Sequence, residues 1–320
     1  MLETKKALEA LGVEVEFLDH ADPNQLKNVE LIHLFSSEFV FYQLVLLAKV
    51  QGIPVVTSSI VYPVGMARVK DTLISKIPLT TENLRCRILH LSDLVLPNSV
   101  SEARLLVEMF QVSQPMRVIP NGINPAILGG EGEHFIQKYV PHLSGERFIL
   151  SVGRIEDRKN SLNLLRAARK LGAPVVFVGQ PTGTQPEYVQ TFFAEARAYG
   201  ERFCHIPFLA PNSQDLRDAF AACHTHALVS LLETPGIASL EAGACGANLV
   251  VGRCPPVEEY LGGLAEVVNQ RSVDDIAMGL QRSLARERGS YGQAEEIIKH
   301  FTWRQVARRT LAAYREVLAT

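Results

Sequence analysis

The sequence predicts an α/β protein made of two doubly wound domains, each built on a parallel sheet. Three observations indicate this: short runs that are almost continuously apolar, amphipathic stretches that alternate with those runs, and a length of 320 residues. Runs that are apolar throughout are typical of parallel strands, because such strands are covered on both faces. The alternation continues through both halves of the chain, which favours one sheet in each half.

The predicted elements follow in chain order. A helix over 3–11 opens the chain, and candidate strands follow at 13–18, 29–35, 54–58, 94–97 and 117–120. Candidate strands of the second half lie at 148–152, 174–178, 203–208, 227–230 and 248–251. Amphipathic spacing predicts helices over Ser161–Leu171, 190–199 and 216–223, and a last helix over 301–318.

The domain boundary is predicted near 125–146, where Gly, Pro and charged residues interrupt the periodic patterns. The first domain is therefore expected to cover 1–140 and the second 145–300. The segment 301–320 forms a separate C-terminal helix in this scheme.

Composition excludes several classes of protein. Hydrophobic residues make up 47% and charged residues 21% of the chain, which is typical of a folded domain. The net charge is -2, whereas nucleic-acid and membrane-surface binders need a basic excess. No apolar run is long enough to span a bilayer, and residues 1–12 lack the apolar core of a signal peptide. The five cysteines include no CxxC, so we expect reduced thiols in a cytoplasmic protein.

The first chemically informative segment is SVGRIEDRKN at 151–160. A predicted strand ends at Gly153, Arg154 follows at once, and Lys159 begins the next predicted helix. Open α/β sheets bind ligands at the carboxyl ends of their strands, and a helix N-terminus favours an anion. Two cations at this junction indicate a phosphate site, although the residues alone also fit ordinary surface cations.

The second segment is SLLETPGIASLEAGACGANLVV at 230–251. Glu233 lies in the loop after a predicted strand, and Pro235 precedes the next helix, where its missing N–H costs nothing. Three consecutive amides then follow that can bind a phosphate, those of Gly236, Ile237 and Ala238. By themselves these residues also fit a simple helix cap with a solvated glutamate.

Together the two segments resemble a known family. Glu233 and Glu241, with seven residues between them, resemble the E-x7-E motif of retaining family-4 glycosyltransferases, the glycosyl transferases group 1, which have the GT-B fold. Arg154 and Lys159 resemble the R-x4-K pair of that family, in the same order. Three more segments are similar to the family's: LVLPNSVSEARLL at 94–106, RVIPNGIN at 117–124 and FTWRQVARRTLAAYREVL at 301–318. The resemblance covers nearly the whole chain.

The resemblance implies two Rossmann-like domains that face a cleft, with the acceptor side first and the nucleotide-sugar side second. The last helix is expected to pack back on the first domain, anchored by Trp303. The implied activity is that of a hexosyltransferase-type enzyme in polysaccharide biosynthesis. It would move a sugar from a nucleotide-diphosphate sugar to an acceptor with retention. No cofactor and no metal are expected, since the sequence has no Asp-x-Asp pair and the donor is a substrate.

Residue roles are implied in the same way. Arg154, Lys159 and Glu233 are the expected catalytic residues: the two cations hold the diphosphate and stabilise the leaving phosphate, and Glu233 contacts hydroxyls of the donor sugar. Glu241 is expected to accept hydrogen bonds from the ribose. The other residues expected to bind the nucleotide or the sugar are Gly153, Phe208, Pro235, Gly236, Ile237 and Ala238.

The chain departs from the family's pattern in three places. The first strand and the Gly-rich loop of the first domain are missing, which indicates a truncated gene, a mis-assigned start or a split protein. The segment VVTSSIVYPVG at 55–65 offers Ser58, Ser59 and Tyr62 but not the histidine that many members carry. After Glu233 the chain reads Thr-Pro-Gly, where many members have Gly-Phe-Gly.

Other interpretations stay open at this point. The chain would be a catalytically degenerate nucleotide-binding protein if the missing parts are essential, or a GT-B nucleotide-sugar epimerase if it needs no acceptor. The acceptor is unassigned among sugars, lipids and small molecules, and any membrane association is expected to be peripheral. His33 ends a candidate strand, where a structural role is commoner than ligand binding, and His224 and His226 are interpreted as packing residues.

Overall fold

In the computed structural model the chain divides into two compact units. The first unit comprises Met1–Gly122 and Trp303–Thr320, and the second comprises Ile123–Thr302. The structure describes residues 1–19, 25–61, 66–234 and 236–319, so that Tyr62 and Pro235, both named above, lie outside the described residues. None of the helices within these ranges has the length and apolar character needed to cross a bilayer.

Within its described residues, the first unit is built on three parallel strands in the order β1-β2-β3. The strands are β1 Ile32–Leu34, β2 Val55–Ser58 and β3 Leu94–Leu96. The helices of this part are α1 Leu2–Glu9, α2 Tyr42–Gln51, α3 Met66–Ile74, α4 Thr81–Leu91 and α5 Val100–Phe110. A side-chain cap fixes the start of α5, since Ser99 Oγ accepts the Glu102 amide at 3.0 Å and satisfies one of the unpaired amides there.

The described part of the second unit forms six parallel strands in the order β6-β5-β4-β7-β8-β9. They are β4 Ile149–Val152, β5 Val175–Val178, β6 Phe203–Ile206, β7 Thr225–Leu228, β8 Asn248–Gly252 and β9 Glu266–Val268. The helices are α6 Gly132–Tyr139, α7 Ser161–Leu171, α8 Pro186–Arg197, α9 Gln214–Ala222, α10 Ile237–Ala244, α11 Pro255–Leu261, α12 Val273–Ala285 and α13 Gln293–His300. This order, which runs outward from β4 and then returns to β7, is that of a Rossmann-type sheet.

The strands of the second unit are rich in apolar residues because both faces of the sheet are covered. In β4, Ile149 packs on one face with Leu165 of α7. Its neighbour Leu150 packs on the opposite face with Phe220 of α9 and Leu240 of α10. All five side chains are fully buried. The predicted fold of two parallel-sheet α/β domains is confirmed.

The last helix, α14 Trp303–Leu318, belongs to the first unit. Its Ala313 and Val317 share a buried cluster with Val56 of β2 and Leu94 of β3. At its start the Trp303 ring lies so close to Gly122 that a Cβ there would be 2.8 Å from the ring. Only glycine fits that contact, and the start of α14 is thereby fixed against the segment that follows α5.

The expected boundary at 140–145 falls inside the second unit. Residues Pro125–Leu128 form a short 3-10 helix, and α6 packs against α9. Buried side chains of residues 125–143 join the core of the second unit, namely those of Ile127, Phe135, Val140 and Leu143. The Gly- and Pro-rich composition of this segment suits close packing as well as a linker: a Cβ at Gly130 would lie 2.2 Å from the Arg217 carbonyl oxygen.

Two predicted strands do not form. Residues 13–18 have no strand, and side chains bond their backbone instead: Gln25 Nε2 donates to the Phe17 carbonyl at 2.8 Å. Residues 117–120 run beside β3 without forming a strand, although the Arg117 amide donates to the Val95 carbonyl at 3.1 Å. Prolines at 115 and 120 each remove one donor, which limits this pairing to a single bridge at Met116. The short strand β9 was not predicted, since three residues carry almost no periodic signal.

Candidate functional site

The carboxyl edge of the second unit's sheet opens between β4 and β7. The ladder between these strands ends at Leu150 and His226, whereas the ladder between β4 and β5 continues to Val152 and Val178. The strand order also reverses here, with β5 and β6 on one side of β4 and β7 to β9 on the other. In doubly wound sheets, ligands bind at this point of reversal.

The loop after β4 carries Lys159 to this edge. Asp157–Lys159 form one 3-10 turn, Asn160 takes a left-handed φ of 57°, and α7 begins directly after it. Asn160 Nδ2 donates to the Val229 carbonyl at 3.1 Å and to the Gln270 carbonyl at 2.6 Å. These bonds fix the turn between loop and helix, so the backbone itself sets the position of Lys159.

Lys159 and Glu233 form an ion pair that joins the two loops of the site. Lys159 Nζ lies 2.5 Å from Glu233 Oε2, and Ser230 Oγ donates to the same oxygen at 3.0 Å. The two side chains are only 15% and 13% exposed, which shields the pair from water. Two of the three residues predicted to be catalytic therefore lie in contact, although 74 positions separate them in the chain.

Leu228 lies beneath both loops. Its Cδ1 would be 3.8 Å from a Cβ at Gly153, and its Cδ2 would be 3.4 Å from a Cβ at Gly236. Gly236 has a φ of 62°, and a Cβ there would also come within 3.1 Å of Glu233 Cγ. The positive φ and this contact together favour glycine at 236. The contact also shows that Glu233 lies close to the start of α10.

The start of α10 presents unpaired amides next to this pair. Among the described residues, none accepts a hydrogen bond from the amides of Gly236, Ile237 or Ala238, and no side chain caps the helix. A helix N-terminus carries a partial positive charge as well as these donors. The arrangement is chemically suited to an anion with several oxygens, such as a phosphate group.

Glu241 lies one turn into α10 and is partly buried. The described residues provide no hydrogen-bond donor to its carboxylate, and burial raises the pKa of this group to about 7 from its ordinary value. A desolvated carboxylate without a partner is destabilising unless a ligand supplies donors. Hydroxyl groups of a ligand could do so.

The raised pKa gives a stability prediction for Glu241→Gln. The folded state holds a proton between pH 4.5 and about 7 that the unfolded state has released, so the wild-type free energy of unfolding falls as the pH rises through that window. The glutamine side chain does not ionise, so its contribution to the free energy of unfolding does not fall in this pH window. We expect the variant to be more stable than wild type at pH 8, by up to about 3 kcal/mol, and nearly equal at pH 4.5.

Urea unfolding at the two pH values measures this difference. Glu195→Gln is the control with the opposite sign, because the hydrogen bond from Arg166 lowers the pKa of Glu195. That change should reduce stability slightly at pH 8. A Glu241→Gln variant that is equal to or less stable than wild type at pH 8 would contradict the interpretation of Glu241 as a desolvated carboxylate that a ligand would stabilise.

Arg154 is placed at the same edge but is more exposed. Its side chain is 63% exposed, and its Nε lies 3.6 Å from Glu156 Oε2. The neighbouring Arg158 lies 3.0 Å from Glu156 Oε1 and also bonds the loop of Glu233, donating to the Leu232 carbonyl at 3.2 Å. Sequence reasoning did not select Glu156 or Arg158, because nothing in the spacing separates them from ordinary loop charges.

His226 is a third residue whose part in the site was missed. Its ring fills the position where β4 and β7 separate, and its Nε2 accepts the Val152 amide at 3.4 Å. Burial, together with the charge of Lys159, lowers the pKa of His226 to about 3, so the ring is neutral. The expectation of a packing role fits this buried position, with the added effect of bonding the last residue of β4.

Phe208 is not brought to the Lys159–Glu233 pair. It follows β6, the outermost strand on its side of the sheet, and is 60% exposed. Its expected role in binding the nucleotide or the sugar stays a prediction.

A group of potential metal ligands occurs elsewhere in the second unit, formed by His134, Asp215 and Asp218. Protein donors already serve both carboxylates. Asp218 accepts the Glu131 amide at 2.7 Å and bonds His134 at 2.6 Å, and Lys138 pairs with Asp215 at 2.8 Å. The contacts join α6 to α9, and a metal ion would have to displace the Lys138 ammonium.

Comparison with known proteins agrees with the geometry of the second unit. The family model of glycosyl transferases group 1 matches residues 134–300, which is just over half of the chain. The chain belongs to this glycosyltransferase family. The matched region contains both loops of the site, the Lys159–Glu233 pair and α10.

Individual relatives show the extent of the likeness. A D-inositol 3-phosphate glycosyltransferase of Stackebrandtia nassauensis is 27% identical over 250 residues, covering 71% of this chain and 55% of that protein. The chain thus spans about half the length of the curated relatives it matches. A solved glycosyltransferase of Rickettsia africae has a TM-score of 0.76 at 15% identity, covering 99% of this chain and 93% of that one. The Anabaena protein HepE, solved with UDP and glucose, has a TM-score of 0.71 at 17% identity and coverages of 98% and 89%. The structural matches support the GT-B fold.

Proposed function

We propose that this glycosyltransferase transfers a sugar from a nucleoside-diphosphate sugar to a hydroxyl of a sugar or polyol acceptor, with retention and without a metal ion. The observation that carries the proposal is the shielded Lys159–Glu233 pair beside the start of α10, whose first three amides have no acceptor among the described residues. A cation, several amide donors and a carboxylate meet there at the strand-order reversal.

In this proposal the diphosphate is held by Lys159, by Arg154 and by the amides of 236–238. Cleavage of the bond between the sugar and the diphosphate places positive charge on the sugar and negative charge on the departing phosphate. Fixed cations and amides aimed at that phosphate lower the barrier, because they are in position before the charge develops. Arginine suits the forked geometry of phosphate oxygens, and lysine acts as a point charge.

The two glutamates take separate roles. Glu233 binds hydroxyls of the donor sugar, and its present contact with Lys159 means that a bound diphosphate would compete with it for the ammonium. Glu241 accepts hydrogen bonds from the ribose hydroxyls, which would supply the donors that none of the described residues provides. Gly236 permits the close approach of the ligand to the backbone.

Turnover with a panel of nucleotide sugars tests the proposal. UDP-glucose comes first because one structural relative was solved with UDP and glucose, and inositol phosphates lead the acceptors because several relatives carry that activity in their names. We expect a glycoside with the anomeric configuration of the donor, formed equally well in EDTA. If the donor is converted to an epimer without any acceptor, the protein is an epimerase and this proposal is wrong. If nucleotide binds but no turnover occurs, the protein is a nucleotide-binding protein.

A further inference from the structure

Three side chains from distant parts of the sequence form a hydrogen-bonded chain in the first unit. His33 lies in β1, Ser58 ends β2, and Tyr314 lies in α14. His33 Nδ1 is 2.6 Å from Tyr314 Oη, and His33 Nε2 is 2.9 Å from Ser58 Oγ. Ser58 ends its strand at the carboxyl edge of a parallel sheet, the edge at which α/β folds bind ligands.

The direction of these hydrogen bonds follows from Tyr314. Burial raises the pKa of its phenol, which therefore keeps its proton. Within the described residues, the structure gives the Tyr314 hydroxyl one partner, His33 Nδ1, and a buried hydroxyl needs an acceptor for its proton. Tyr314 thus donates to Nδ1, and the proton of the neutral ring lies on Nε2.

The imidazole is fixed in this state. Burial, with a smaller effect of the Met1 amino group, lowers the pKa of His33 to about 3, so the ring stays neutral at physiological pH. The Phe35 ring stacks on it with a centroid distance of 4.2 Å, which restrains its rotation. Nε2–H then donates to Ser58 Oγ, and the Ser58 hydroxyl is left to donate its own proton outward.

This arrangement does not fit a nucleophilic serine. A general base would need an unprotonated nitrogen facing the hydroxyl, whereas Nε2 carries the proton here. The Ser58 hydroxyl is instead a donor polarised by the hydrogen bond it accepts. Ser58 is partly exposed, so a ligand oxygen can reach it.

A neighbouring charge indicates the class of ligand. The buried Glu102 carboxylate accepts from Ser59 Oγ at 2.6 Å and from the amides of Val61 and Asn98 at 2.7 Å each. Burial raises the pKa of Glu102. Each of the three groups in contact with it donates a hydrogen bond, however, and these bonds favour the ionised carboxylate. Glu102 bonds the side chain of Ser59, the residue next to Ser58 in the chain, and its negative charge there disfavours an anion and favours an uncharged hydroxyl group.

We propose that Ser58, oriented by His33 and Tyr314, binds a hydroxyl of an uncharged sugar or polyol portion of the acceptor. The inference rests on the proposed function for the identity of the ligand as the acceptor. Ser58 is the group that touches the ligand, and His33 and Tyr314 are positioning residues that act through it.

Nitrogen-15 NMR of the histidines in the full chain tests the orientation without any activity. We expect His33 as the Nε2–H tautomer, unchanged between pH 5 and 8, and a shift of its Nε2–H resonance when myo-inositol is added. Tyr314→Phe removes the donor to Nδ1 and frees the ring to change tautomer. Ser58→Ala keeps the tautomer but should abolish the shift. An Nδ1–H tautomer, or titration near pH 6.5 in wild type, overturns the proposal.

Affinity supplies the second measurement. Ser58→Ala and Tyr314→Phe should each weaken myo-inositol binding or raise the acceptor KM by roughly three- to tenfold, the loss of one neutral hydrogen bond. UDP binding should be unchanged in both. Tyr42→Phe, whose ring packs under Arg87 in the same unit, is the matched control and should have no effect. Wild-type affinity for myo-inositol in both variants overturns the site. Failure of the wild type to bind UDP or any other nucleoside diphosphate would instead refute the proposed function.

Discussion

Replacing Lys159 with alanine is expected to lower kcat by roughly 10²–10³, the effect of removing one preorganised electrostatic group. The ammonium lies in a shielded position at the strand-order reversal, and its charge gains importance as the phosphate becomes more negative. Arg154→Ala should have an effect of the same order, although Arg154 is more exposed and must order on binding. Steady-state kinetics with the donor concentration varied up to saturation measures kcat and KM for both variants.

Lys170→Ala is the matched control for Lys159. Lys170 lies near the end of α7 and pairs with Asp274 at the surface, so its loss should leave kcat and KM unchanged. Should Lys159→Ala and Arg154→Ala raise only KM, the two cations would serve ground-state binding, and their proposed part in stabilising the leaving phosphate would be wrong.

Glu233→Gln is expected to abolish most sugar transfer while it preserves, or strengthens, binding of the free nucleoside diphosphate. The carboxylate now neutralises Lys159 at 2.5 Å, so its removal frees the ammonium for the phosphate. Transfer should fall by roughly 10²–10³, because the sugar loses an ionic acceptor in the transition state. Titration with UDP and the rate of transfer separate the two effects.

Glu258→Gln serves as the control, since Glu258 is a surface carboxylate of the same unit that lies 3.8 Å from Arg253. It should alter neither measurement. Weaker UDP binding by Glu233→Gln would mean that Glu233 acts on the nucleotide and not on the sugar.

Short-range patterns predicted much of the fold. Helix Ser161–Leu171 has its predicted bounds, and the apolar runs became parallel strands because both faces of each sheet are covered. Residues 13–18 form no strand although Glu14 and Glu16 alternate with apolar residues, because part of the backbone there bonds the distant side chain of Gln25, which local patterns do not encode. Composition suggested a linker at 125–146, while the buried Phe135 makes it part of the second unit's core.

The candidate site was predictable as a set of residues but not as a set of contacts. Spacing selected Lys159 and Glu233, yet their direct pairing joins positions 74 apart and depends on the strand order. The contact of His33 with Tyr314 spans 281 positions, and no local pattern in the sequence encodes it. Likewise, the sequence does not reveal that no described residue donates a hydrogen bond to Glu241, because this depends on which residues the fold places around it.

Isothermal titration with UDP in the presence of EDTA tests most directly whether side chains and amides alone hold the diphosphate. We predict that the wild-type chain binds UDP with the same affinity in EDTA and in added Mg²⁺ or Mn²⁺. The double variant Arg154→Ala/Lys159→Ala should lose that binding, and Lys170→Ala should retain it. Binding that appears only with a metal ion, or a double variant that binds UDP as wild type does, would contradict the account.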